Sequence, residues 1–223
     1  MKKIYILIAL SFFMMNCEED SLHELNVNPK QAETLNADPL FTYGQFGIAK
    51  QLADASYNNN VDRYWANYLT GTTYILETNY DAVNRDIGGN IFDNIYTESL
   101  LELKKAKEIV EAEEVTDALL PVKNNKLACI TIMEVYAYQY LVDNFGYVPY
   151  TEALDIENLQ PSYDSDADVY AAITAELETA LGLITPSADA FDPGADILYG
   201  ADMAAWEKFG YSILLRIGMR QAE

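Results

Sequence analysis

Apolar residues recur at three- and four-residue spacing over several stretches of the chain, the pattern of helices that bury one face. From Ile91 onward, Phe92, Ile95, Ser99, Leu103, Ala106 and Val110 share one side, while Glu102, Lys104, Lys105, Glu108 and Glu111 take the others. This predicts an amphipathic surface helix. Between Lys126 and Asp143, Leu127, Ile130, Met133, Tyr136, Ala137, Tyr138, Tyr140, Leu141 and Val142 cover most of the circumference, so that helix belongs between neighbours. Gly146 can cap it in a left-handed conformation, and Pro149 blocks its continuation. A further helix opens at Ser165 or Asp166, with Asp168 placed as in a capping box, and buries Val169, Ile173, Leu177, Ala180, Leu181 and Ile184. Another starts at about Asp202 and presents Met203, Trp206, Phe209, Ile213, Leu214 and Ile217. Its Arg216 and Arg220 lie near the C-terminal end, where cations suit the helix dipole. A first helix is expected after Asp38-Pro39, running toward Ala55.

The connections are long and rich in aromatic residues. Residues 56–90 are the least regular, with Tyr57-Asn58-Asn59-Asn60, Trp65, Tyr68, Tyr74 and Tyr80 before Gly88-Gly89. Thr185 to Gly200 is a second loop, turning at Asp192-Pro193-Gly194. The class is all-α: stacked helix pairs of the tetratricopeptide type, or an irregular bundle. No strict sequence repeat links the pairs. The helical pattern is still running at Glu223, which predicts that the chain is the front of a longer protein.

The N-terminus has a different character. Lys2 and Lys3 precede an apolar run from Ile4 to Met15, closed by Asn16-Cys17 and followed by Glu18-Glu19-Asp20-Ser21. The run is too short for a bilayer core, which asks for roughly twenty residues. A plain secretory peptide prefers small residues at its cleavage site, and Met14-Met15-Asn16 fits that poorly. With Cys17 and Cys129 the only cysteines, no disulfide framework accounts for Cys17. The organisation expected is a lipoprotein signal peptide over 1–16, a lipid-anchored tether over 17–37 with lipidation at Cys17, and a helical domain over 38–223.

Charge and residue supply exclude several functions. A net charge of −21 disfavours nucleic acid and unaided adsorption to an anionic membrane. The only histidine, His23, lies in the tether, so histidine-based triads and the usual zinc sites are absent. Cys129 reads as a packing residue on the most apolar helix. Asp164, Asp166 and Asp168 imitate the opening of a calcium loop, but Val169 and Ala175 occupy its glycine and acidic positions, so they read as helix-capping groups. No glycine-rich phosphate loop is present. No cofactor, metal or catalytic residue is expected, and no carboxylate pair stands out for glycoside hydrolysis. Seventeen tyrosines and two tryptophans exceed what helix packing needs. Tyr57, Trp65, Tyr68, Tyr74 and Tyr80 are the candidate ligand-binding group, since these side chains combine an apolar face with a polar tip.

Several blocks carry a resemblance. Tyr136 to Leu154, containing Asp143-Asn144-Phe145-Gly146-Tyr147-Val148-Pro149-Tyr150, is followed by Pro161 to Tyr170, Glu176 to Ala180, Asp196 to Asp202, Trp206-Glu207-Lys208-Phe209 and Leu214 to Arg220. In order and spacing, over residues 128–220, they resemble the SusD/RagB family of outer-membrane nutrient-binding lipoproteins of Bacteroidetes. Asn28-Pro29 and the acidic residues behind Cys17 resemble the start of that family. Where members often show an Asn-Ser pair, this chain has Gly210-Tyr211-Ser212. The resemblance implies an all-α scaffold of tetratricopeptide-like stacked helix pairs with long irregular aromatic-rich loops. It also implies a lipid at Cys17 and a place on the cell surface at the outer membrane, over a SusC-like TonB-dependent transporter. There the protein is a lid that captures oligosaccharides or peptides and is not an enzyme. Members are longer than this chain, and their ligand contacts vary too widely to carry over residue by residue. A lipid-anchored scaffold without small-ligand binding is the alternative, and a glycan hydrolase a weaker one.

Overall fold

The computed structural model describes residues 35–54, 61–81 and 86–222. Helix α1 spans Ala37–Ala53 and starts earlier than the Asp38-Pro39 signal predicts, because the Asn36 side chain accepts the Asp38 N–H at 3.3 Å and so caps it. Pro39 then falls in the first turn, where its missing N–H costs nothing. A single turn, α2, covers Asp62–Trp65. Helix α3, Ile87–Asp93, also starts earlier than predicted. Gly88-Gly89 does not terminate the loop; the Asp86 carboxylate accepts the Gly89 N–H at 2.9 Å and caps the helix.

The α3 helix runs directly into a π-helical segment, Asn94–Leu100, and then into α4, Leu101–Ala112. The wider π turn changes the buried register. Ile87, Ile91 and Ile95 face inward at four-residue steps, joined by Tyr96, and Ser99 and Leu100 are the core positions that follow. Phe92, expected on the buried face, is only partly covered, in ring contact with Tyr96, Phe145 and Tyr163.

Helix α5 spans Leu120–Phe145, with Pro121 in its first turn, and so begins six residues before Lys126. It is buried around most of its girth, as its sequence requires. Gly146 ends it with positive φ, +72°, but its ψ of −92° lies outside the left-handed helical region that a Schellman cap uses. Helix α6 spans Asp166–Leu183 and α7 spans Met203–Gln221. Ser165 caps α6 by accepting the Asp168 N–H, and Asp202 caps α7 by accepting those of Ala204 and Ala205.

Successive helices pack in pairs: α1 lies on the α3–π–α4 helix, α5 on α6, and α7 runs along α5 and α6. The described residues contain no strand, only an isolated bridge between Val148 and Asp164. This is the all-α, tetratricopeptide-like stack of helix pairs expected. No helix among the described residues is long and apolar enough to cross a membrane. At four-residue spacing along α7, Tyr211, Leu215 and Met219 are more than half exposed.

The core is held by aromatic packing and by a few polar clamps. Phe41 of α1 stacks on Phe191 at 4.0 Å between centroids and touches the buried Trp206 of α7. Asn125 on α5 donates to the carbonyls of Thr185, Ala188 and Asp189 at 3.0 Å each and accepts the Thr185 N–H at 2.8 Å. It thereby pins the loop between α6 and α7. The three aspartates of the calcium-like motif cap and brace. Asp164 accepts the N–H groups of Tyr150 and Thr151 at 2.9 Å each. Burial alone would raise the Asp164 carboxyl, but these donors and the Thr151 hydroxyl hold it below its ordinary value.

Cys129 is 1% exposed, with its Sγ 3.8 Å from the Met203 Sδ, and burial pushes its thiol well above the ordinary range. Native protein should leave this thiol unreacted with an aromatic disulfide reagent at neutral pH and react fully in denaturant. Rapid native labelling would contradict its packing role.

Candidate functional site

The irregular segment after α2 is built on a small core of its own, in which Val61, Ile87 and Ile91 pack with Trp65, Tyr140 and Phe145. Trp65 is half-buried. Its neighbour Tyr80 lies 6.3 Å away, ring to ring, at an interplanar angle of 25°, and donates its hydroxyl to the Trp65 carbonyl at 2.9 Å. Tyr80 has φ of +60°, a conformation that costs a non-glycine residue of order 1 kcal/mol or more. The stack and the hydrogen bond hold it there.

The rest of the segment folds back on itself. The N–H groups of Tyr68 and Leu69 donate to the Arg63 carbonyl at 2.9 and 3.1 Å, and the Gly71 N–H donates to the Thr78 hydroxyl at 2.9 Å. At Gly71 a Cβ would lie 2.2 Å from the Tyr74 carbonyl oxygen, so the turn admits only glycine. The result is a display of large side chains: Tyr68 is 83% exposed, Tyr74 65% and Tyr80 61%. Leu69, Ile75 and Leu76 are exposed beside them. An apolar surface of this kind is the usual mark of a ligand or partner site.

Of the five predicted ligand-binding residues, Trp65 and Tyr80 come together. Tyr68 and Tyr74 lie between them in sequence without ring contact to the pair, and Tyr57 lies outside the described residues, as does Cys17. Other loop tyrosines anchor rather than display. Tyr150 packs edge-on to Tyr138 and donates to Glu176 at 2.7 Å, and Tyr199 packs edge-on to Trp206.

Two features absent from the sequence reading lie close by. Arg63 of α2 donates to the Leu52 carbonyl at 3.2 Å and ties the segment to the end of α1. It also lines a cavity of about 460 Å³ that reaches Gln45 of α1, Met133 and Tyr136 of α5 and Phe209 of α7. The sequence did hold a signal for Gln45: it interrupts the apolar register of Phe41 and Ile48 at a position that must face the core. A second polar cluster, between α4, α5 and α6, is closed on itself. Lys107 meets Glu134 at 2.7 Å. Burial holds the Glu134 carboxyl above its ordinary value despite Lys107.

The structure thus presents a scaffold of paired helices with exposed aromatic side chains on an irregular loop. Comparison with known proteins gives the family. Residues 29–223 match the SusD-like family described as "Starch-binding associating with outer membrane", and the chain belongs to it. The family is one of non-catalytic binding proteins. No curated protein matches the chain.

Among solved structures, a SusD-like protein of Bacteroidetes is 26% identical, with a TM-score of 0.61, over 83% of this chain and 33% of that one. A SusD homolog from Parabacteroides distasonis has a TM-score of 0.65 at 21% identity, over 84% of this chain and 35% of its own. A chitin-binding protein has a TM-score of 0.59 at 22% identity, over 83% and 39%. The chain thus spans between 33% and 39% of the length of these relatives.

Proposed function

We propose that this protein is a nutrient-binding lipoprotein of the outer-membrane surface that captures oligosaccharide on the Trp65–Tyr80 platform. In this reading Cys17 carries the lipid, residues 17–37 are the tether, and the helical domain acts as a lid for a SusC-like TonB-dependent transporter. Family membership supports the class. The observation that carries the site is the stacked and braced Trp65–Tyr80 pair, in which Tyr80 is exposed and Trp65 half-buried. Sugar rings present an apolar C–H face and a rim of hydroxyls, which suit an aromatic face with a hydrogen-bonding tip. The starch-binding description of the family and a chitin-binding structural relative favour a glycan over a peptide.

Calorimetry of the longest native form against a panel of glycans and peptides tests the reading. A glycan should bind without turnover, and Trp65→Ala should weaken it roughly tenfold, the loss of about 1–1.5 kcal/mol of ring contact. Unchanged glycan affinity in that variant would remove the platform from the site. Heat from neither class of ligand, with co-purification of a transporter barrel, would favour the scaffold alternative. Mass spectrometry of membrane-purified protein should find acylation at Cys17.

A further inference from the structure

The loop between α5 and α6 keeps two large aliphatic side chains in water on a backbone that is firmly held. Its neck is closed by the Val148–Asp164 bridge and by the Asp164 carboxylate, which accepts the Tyr150 and Thr151 N–H groups. Inside the loop the Glu152 carboxylate accepts the Ser162 N–H at 2.9 Å and the Asn158 side-chain amide at 3.1 Å. Asp155 closes a turn, its carbonyl accepting the Asn158 N–H and its carboxylate the Glu157 N–H. Leu154 has φ of +60°, and Lys104 of α4 donates to its carbonyl at 2.8 Å. With Asn158 drawn in to Glu152, Ile156 and Leu159 on either side of it are left 87% and 85% exposed, the most open large apolar side chains among the described residues.

A slack loop could fold these side chains inward; a braced one that presents them to water marks a contact surface. Aliphatic groups lack the ring face and polar tip that suit a sugar, so the contact they fit is with protein. Charge defines that protein further. Asp155 and Glu157 flank Ile156, and no lysine, arginine or histidine lies between Lys126 and Lys208. Lys104, which reaches the loop from α4, is engaged by the Leu154 carbonyl. An anionic lipid surface would repel this loop, and a second copy of it would set carboxylate against carboxylate. We propose that Ile156 and Leu159 form a docking knob for a protein whose surface offers an apolar recess rimmed by lysine and arginine. Resting on the reading above, that protein is the transporter barrel.

Photo-cross-linking in cells that make the native full-length lipoprotein tests this. A benzophenone amino acid in place of Leu159 should link to a TonB-dependent barrel, identified by mass spectrometry of the adduct. Ile156→Ser combined with Leu159→Ser should lower the barrel recovered with the tagged protein roughly tenfold. The unfolding midpoint and the glycan affinity should stay as they were, since both side chains are exposed and outside the aromatic platform. Asp155→Asn with Glu157→Gln keeps the turn, because asparagine still offers an acceptor to the Glu157 N–H. It should weaken recovery less and flatten its dependence on salt. Adducts to lipid or to a second copy of this chain would overturn the knob, and an unchanged salt dependence would overturn the basic rim. A barrel recovered equally with and without the serine pair would overturn the docking surface alone. No barrel with the unaltered protein would overturn the transporter reading together with it.

Discussion

Asp196→Ala should lower the free energy of unfolding by about 3–5 kcal/mol, a large share of the stability of an ordinary domain. Asp196 is 3% exposed. One carboxylate oxygen accepts the N–H groups of Leu198 and Tyr199 at 3.1 and 3.2 Å, and the other accepts Ala201 N–H and Trp206 Nε1–H at 2.8 and 2.7 Å. These donors close a turn in which Gly200 and Ala201 both have positive φ, +58° and +66°. For Ala201 that conformation is strained, and the aspartate is what holds it. Alanine would leave the indole N–H of a fully buried Trp206 without an acceptor while releasing the turn that covers it. Asp196→Asn keeps one acceptor oxygen and should lose less. Urea unfolding followed by near-ultraviolet circular dichroism measures both, and an alanine loss below about 1 kcal/mol would show that the clamp carries little.

Gly47→Ala should destabilise by about 1–3 kcal/mol through overpacking, although alanine is the better helix former. A Cβ at Gly47 would lie 2.4 Å from the Ser99 hydroxyl and 2.8 Å from the Glu98 carbonyl oxygen. The hydroxyl can rotate away; the carbonyl belongs to the π-helical backbone and cannot move without parting the two helices. Gly182 in α6 provides the control, because nothing lies within 4 Å of its Cβ position. There the same change should stabilise by about 0.5–1 kcal/mol. Opposite signs in thermal unfolding would establish that the contact between α1 and the π segment is set by backbone approach. A neutral or stabilising Gly47→Ala would refute it.

The helices were legible in the sequence because their evidence is local. Leu177 and Ile173 repeat at helical spacing, and Ser165 and Asp202 are capping residues that need only the next turn to act. What was not legible depends on distant partners. Gly88-Gly89 looks like a terminator until Asp86 is seen to cap the turn that contains it. Phe92 and Ile91 compete for the same face, and only the wide turn after Asp93 decides for Ile91. The loop aromatics showed their residue type but not their direction: Tyr150 and Tyr199 turn toward the core, whereas Tyr68 and Tyr74 face solvent. Gln45 was visible as a polar break in an apolar stripe, yet that it is fully buried with its amide unpaired depends on neighbours from other elements.

The π-helical segment at Asn94–Leu100 has a consequence for how the protein can vary. A π turn takes up more residues than an α turn, so the seven residues here carry the chain round about as far as six α-helical ones would at ~100° each. Forcing the same residues into regular α geometry would therefore rotate Ile87 and Ile91 by about 100° relative to Leu103, Ala106 and Val110, and the small core under the aromatic platform would face away from Val61 and Trp65. Where the platform points is written in a count of residues and not in any side chain. A single deletion between Asp93 and Leu101 that leaves a regular helix should keep both faces in place, whereas a further insertion should be purged in descendants that keep this platform, and substitutions at the exposed Thr97 are free to accumulate.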